Sequence, residues 1–162
     1  MVFQKCISMF SEIGVELMKF IEIKDLIIGQ GIPKIIVPIV GKTKDEIIYK
    51  AQEISDMDID VVEWRADYYE DVFNIEKVYS ILKDLKATLN DKIILFTFRT
   101  KKEGGEKEIS MEVYTVLNRC VAQSGKVDLI DVEIFSGDEV VNENIRNIHE
   151  AGVLVVGSNH NF

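Results

Sequence analysis

Five ionisable side chains mark where this sequence could do chemistry: Glu63 and Arg65 in "VVEWR", Arg99 in "FTFR", Glu103 in "KKEGGE" and His160 in "SNHNF". An imidazole has an unperturbed pKa close to neutrality, which suits it to taking and returning a proton. A carboxylate held against it fixes the ring and favours the imidazolium as it forms. Guanidinium forks match hydroxyls and carboxylates. Together these are parts for acid–base work on a small polar molecule. Asp131 and Glu133 in "LIDVEIF", and Ser158 before His160, stand in similar surroundings, each at the polar end of an apolar run.

Such residues need elements to position them, and the chain supplies a repeat. Apolar runs over 34–40, 59–65, 92–99, 127–135 and 153–160 alternate with helical patterns over 43–55, 74–89, 110–124 and 138–151. Thr43 and Glu46 form a capping-box pattern, and Ile47, Ile48, Ala51 and Ile54 recur at helical spacing. The order is βαβαβαβαβ, which calls for parallel strands and right-handed crossovers. Residues 19–31 hold two short alternating runs about a turn, a hairpin ahead of the repeat. Pattern alone allows a complete doubly wound sheet or the first five strands of a (β/α)8 barrel.

In either architecture functional groups gather at the carboxyl ends of the strands. Side chains alternate along a strand, so Glu63 shares a face with Arg65, Thr97 with Arg99, Asp131 with Glu133, and Ser158 with His160. Trp64, Phe96 and Phe98 point the other way. A bland reading makes these charges an ion-pair rim; Glu63, Arg65, Arg99, Glu133 and His160 on four strand ends favour one convergent site. The loop "TKKEGGEKE" lacks the Walker spacing, and its acids would repel phosphate. Its glycines permit mobility and positive φ, so it could bring a carboxylate over the strand ends or be a solvated turn.

Composition removes several classes. The 162 residues suffice for one domain, and 47% hydrophobic with 29% charged is a globular balance. A net charge of −9 opposes nonspecific nucleic-acid binding. No apolar stretch approaches the roughly 20 residues of a membrane span. Lys5, Ser8, Ser11, Glu12 and Glu16 interrupt any signal-peptide core. Cys6 and Cys120 have no metal or redox spacing and are expected as reduced, structural thiols of a cytoplasmic protein. Asp56, Asp58 and Asp60 read as a solvated turn, and His149 as a surface residue of the last helix; no metal is assigned. Residues 1–18 are expected as an N-terminal extension and 19–162 as the domain.

"IPKIIVPIVGKT", "VEWRADYYED", "ILFTFRTKKEGGE", "VDLIDVEIF" and "VGSNHNF", in this order and spacing, resemble the type I 3-dehydroquinate dehydratases. The resemblance covers nearly all of 19–162 and selects the barrel, here its first five strands and four helices after a short hairpin. It implies a shikimate-pathway lyase that removes water from 3-dehydroquinate through a covalent imine, with no external cofactor, as a homodimer when full length. It implies His160 as the catalytic acid–base and Glu103 as the carboxylate that orients it. It places Glu63, Trp64 and Arg65 in the substrate-contacting motif and Arg99 beside them. Glu133 receives no role.

Two departures matter. The family's Schiff-base lysine belongs to a later strand beyond Phe162; Lys101 and Lys102 do not match it, so this chain alone is expected to be inactive. Open strand edges would favour self-association. Asn161 replaces an aspartate of many relatives, and Pro38 stands where some have a small polar residue. The competing expectation is a non-catalytic five-stranded module binding a small anion through Arg65 and Arg99, with a sheet order that reverses at a switch point.

Overall fold

A computed structural model describes residues 20–161, so the expected extension over 1–18 lies outside the described residues. These fall into two compact units, one up to Lys34 and one from Ile35. The first contains β1 (Ile21–Ile23) and β2 (Leu26–Ile28), paired antiparallel with Ile23 opposite Leu26. The hairpin expected over 19–31 is present, and Lys24 takes the positive φ of 52° that its tight turn needs.

The second unit alternates strand and helix: β3 (Ile36–Ile39), α1 (Lys44–Ile54), β4 (Val61–Arg65), α2 (Ile75–Leu89), β5 (Ile93–Thr97), α3 (Met111–Gln123), β6 (Leu129–Glu133), α4 (Asp138–Glu150) and β7 (Leu154–Ser158). The sheet order is β3-β4-β5-β6-β7, parallel throughout. A doubly wound sheet would reverse direction about its first strand. This one advances by one neighbour each time, as a barrel wall does, and the switch-point module is set aside.

Local chemistry explains the helix starts. Thr43 Oγ1 accepts from Glu46 N, while the Glu46 carboxylate takes the Thr43 and Lys42 amides, completing the capping box. Those backbone donors hold the Glu46 carboxyl below its usual range. Asn74 and Ser110 cap α2 and α3 more simply, each side chain accepting one amide, from Lys77 N and Val113 N. Asp60, one of the alternating acids, accepts from Ile35 N at 2.7 Å and ties β3 to the start of β4.

The register sorts the strands into two faces. Glu63 stands beside Leu95, Leu95 beside Leu129 and Leu129 beside Leu154, so these share the inward face. The alternate residues, Val62, Trp64, Ile94, Phe96, Ile130 and Val132, join the inner sides of the helices in one core. Trp64 meets Phe96 edge-on with ring centroids 5.5 Å apart. That core locks the strand ends in place.

Candidate active site

The inward face is apolar where the strands begin, at Val61, Ile93, Leu95 and Leu129, and charged where they end. At its centre is Arg99, 5% exposed. Its Nη1 donates to Glu133 Oε1 at 3.0 Å and to Ser158 Oγ at 2.9 Å. Its Nη2 lies 3.0 Å from Asp131 Oδ1, and Nη1 lies 3.6 Å from Glu103 Oε2. Ser158 Oγ in turn donates to Asp131 Oδ1 at 2.9 Å. Three carboxylates therefore surround one guanidinium, and the strand ends do meet.

Burial pushes the Asp131 carboxyl above the usual range, against the pull of Arg99 and Ser158, and the Glu63 carboxylate adds to the push. Glu63 itself is half-buried on the inward face and takes no hydrogen bond or ion pair from the described residues. It is an acceptor available to an incoming hydroxyl.

His160 lies two residues past β7, its side chain 41% exposed. Its backbone amide donates to Glu103 Oε2 at 3.0 Å, and its ring Nδ1 is 3.2 Å from the same oxygen. A carboxylate accepts, so the form of the ring that turns this contact into a hydrogen bond is the one with a proton on Nδ1. Glu103 is 6% exposed at the end of a short 3-10 turn, Lys101–Glu103. The pair joins a buried anchor to a ring that solvent can reach.

The glycine loop brings the Glu103 carboxylate over the strand ends, the alternative to a solvated turn. Gly104 takes φ 85° to end the turn. Gly105 is needed for space: a Cβ there would sit 2.0 Å from the Arg99 carbonyl oxygen. Gly105 N donates to Thr100 O at 2.8 Å, and Glu106 N to Asp67 Oδ2 at 3.2 Å. The loop is folded down onto the strand ends.

Arg65 is placed differently from Arg99. Its Nε and Nη2 form a fork on Asp67 at 2.8 and 2.9 Å, and the guanidinium lies 5.2 Å from the Tyr68 ring centroid. The hydrogen bond to Asp67 raises its already high pKa. Trp64 is corrected by the structure. Motif position put it among the substrate contacts, but it is fully buried in the helix-side core, because alternation turns it away from Glu63 and Arg65.

Sequence reasoning missed Asp67 and Thr100. Asp67 is fully buried and accepts from Arg65, from Arg99 N and from Glu106 N, so one carboxylate gathers β4, β5 and the loop. The Arg65-x-Asp67 spacing in "WRAD" was the available signal. Thr100 had none. Among the described residues no group of three or more His, Cys, Asp or Glu side chains is placed to hold a metal ion.

The profile of the Type I 3-dehydroquinase family matches residues 35–162. The chain belongs to that family. It is 50% identical to the 3-dehydroquinate dehydratase of Clostridium botulinum over 144 residues, which are 89% of this chain and 57% of that protein. The type I 3-dehydroquinate dehydratase of Clostridium difficile, solved with covalently modified comenic acid, superposes with a TM-score of 0.87 at 46% identity. The match covers 89% of this chain and 57% of that one. The Enterococcus faecalis 3-dehydroquinate dehydratase gives 0.83 at 39%, covering 88% and 59%. These relatives are TIM barrels, and the consecutive strand order is that of a barrel wall. The chain spans a little over half the length of the relatives it matches.

Proposed function

We propose that the whole protein is a 3-dehydroquinate dehydratase of the shikimate pathway, working in the cytoplasm as a homodimer without an external cofactor. The observation that carries this reading is the His160–Glu103 pair, 3.2 Å apart, set at the rim of the Arg99 cluster.

The substrate is a ketone bearing a hydroxyl and an acidic C–H. A lysine amine condenses with the C3 ketone, releasing water and leaving a protonated imine. The imine draws electrons from C2 better than the ketone does, so the C2 proton becomes easier to remove. His160 takes that proton through Nε2, with Glu103 stabilising the imidazolium through Nδ1. The electron pair forms the new double bond as the hydroxyl leaves, and His160 returns the proton to it as water. Hydrolysis of the imine frees 3-dehydroshikimate. Arg65, Arg99 and Glu63 receive the substrate's oxygens.

No lysine among these 162 residues stands at the family's Schiff-base position, so the amine comes from outside them. The carboxylates gathered around Arg99 suit a site that must hold a cationic imine. The test is borohydride trapping. Mixed with 3-dehydroquinate and borohydride, the 162-residue chain keeps its mass, whereas a longer gene product gains one adduct and dehydrates the substrate. An adduct on the short chain sinks the external lysine; a longer product with no dehydratase activity sinks the assignment.

A further inference from the structure

We infer that Glu133 is a positioning residue, fixing through Thr100 the turn that carries Glu103 and hence the orientation of His160. This deepens the dehydratase reading and rests on its His160–Glu103 pair.

Glu133 ends β6 with 1% exposure. Its Oε1 accepts from Thr100 N at 2.8 Å as well as from Arg99 Nη1, and its Oε2 accepts from Thr100 Oγ1 at 2.8 Å. One carboxylate thus grips the backbone and side chain of Thr100 and the side chain of its neighbour. Thr100 in turn anchors the residues after it: its carbonyl accepts from Glu103 N at 3.0 Å and from Gly105 N at 2.8 Å. Glu103 then reaches His160. The path runs from a strand end, through a gripped residue, to a one-turn element with a single catalytic partner.

β5 stops pairing with β6 after Phe96 and Ile130, and beyond that point the backbone of Thr100 has a single bridge, to Lys107, with Lys101 N donating to Lys107 O at 3.0 Å. That bridge closes the loop on itself; the Glu133 side chain is what ties Thr100 to β6. Loss of this grip would leave buried donors unmet and free the turn to move, and displacement of a catalytic group by about 1 Å is enough to matter. Shape, more than charge, does this work. A glutamine can accept the two N–H donors through its oxygen while its amide donates to Thr100 Oγ1.

The test uses the 162-residue chain and the ring 15N shifts of His160 at a pH where the imidazole is neutral, with His149, the other histidine, as internal reference. Wild type is expected to show the Nδ1–H tautomer, and Glu103→Ala to lose it. Glu133→Ala should lose at least half of the same signature, and Glu133→Gln should restore it. A purely structural Glu133 would lower the melting temperature without moving the tautomer. If wild type and Glu103→Ala coincide, the underlying pair fails, and this inference with it. If they differ but Glu133→Ala matches wild type, the pair stands and Glu133 is not its anchor. Should Glu133→Ala not fold, Glu133→Asp decides: it keeps the charge but draws the carboxylate back by one methylene from both Thr100 donors, and a wild-type tautomer there overturns the inference.

Discussion

The two faces of one sheet are built from alternate residues of the same strands, yet they follow opposite rules. The helix side carries Trp64, Phe96, Ile130 and Val132 in an apolar core that needs only shape. The inward side carries Arg99, Asp131, Glu133 and Glu103, all buried and charged, and depends on a closed set of partners. An apolar face tolerates exchange among side chains of similar volume. A buried ionic face is less forgiving: truncating one member strands the others, and only a replacement that keeps their hydrogen bonds is tolerated. The same strand can carry both, provided the charges sit at its end.

This contrast can be broken from either side. The largest loss is expected for Arg99→Ala, which leaves three carboxylates near an empty space: about 3–5 kcal/mol in urea denaturation. A loss below about 1 kcal/mol would mean the acids are already relieved by water. Phe96→Ala on the other face should cost a similar ~3–5 kcal/mol through cavity formation. Phe96→Leu should recover most of that cost, whereas Arg99→Lys, lacking the fork, should recover little. Equal recovery would erase the distinction.

Gly105→Ala comes next. Its Cβ would strike backbone, so about 1–3 kcal/mol and a displaced loop are expected, seen as faster amide exchange from Glu103 to Glu106. Tyr114→Phe sharpens the boundary between the faces. That phenol reaches from α3 to donate to Asp131 O and accept from Glu133 N, so its loss should cost about 1 kcal/mol. Burial also raises the Tyr114 phenol, so the folded state holds its proton more tightly than the unfolded chain. That contribution is complete below the ordinary tyrosine value of about 10 and is lost as pH rises beyond it. Tyr114→Phe should therefore flatten alkaline unfolding.

The smallest effect concerns Asp131. Its raised carboxyl contributes stability that is complete below the ordinary aspartate value of about 3.9 and is lost as pH rises through the folded-state value. The stability of Asp131→Asn relative to wild type should therefore improve with rising pH across that window. A difference that stays flat, measured by denaturation at several pH values, would show that Arg99 cancels the cost of burial.

Much of this was legible in the chain. The strand and helix repeat, the capping box at Thr43 and the facing of Glu63, Arg65, Asp131 and Glu133 all follow from periodicities of two and 3.6. So does the burial of Trp64, once alternation is given more weight than motif membership. The run over 92–99 ends two residues early as a strand: within it Arg99 N turns to the Asp67 carboxylate, and just beyond it Thr100 N turns to Glu133, instead of to a neighbouring strand. No local pattern announces such an exchange.

By itself the sequence determined which residues could be charged, apolar or helical, and which face each would take, because those properties belong to side chains and their immediate neighbours. Only the tertiary structure decided that Glu103 meets His160 across 57 residues, that Asp67 gathers both arginine segments, and that Glu133 grips Thr100. Those contacts depend on how β4 through β7 stand side by side. A carboxylate bonds to whatever donor the packing brings within about 3 Å, and sequence separation carries no record of that distance.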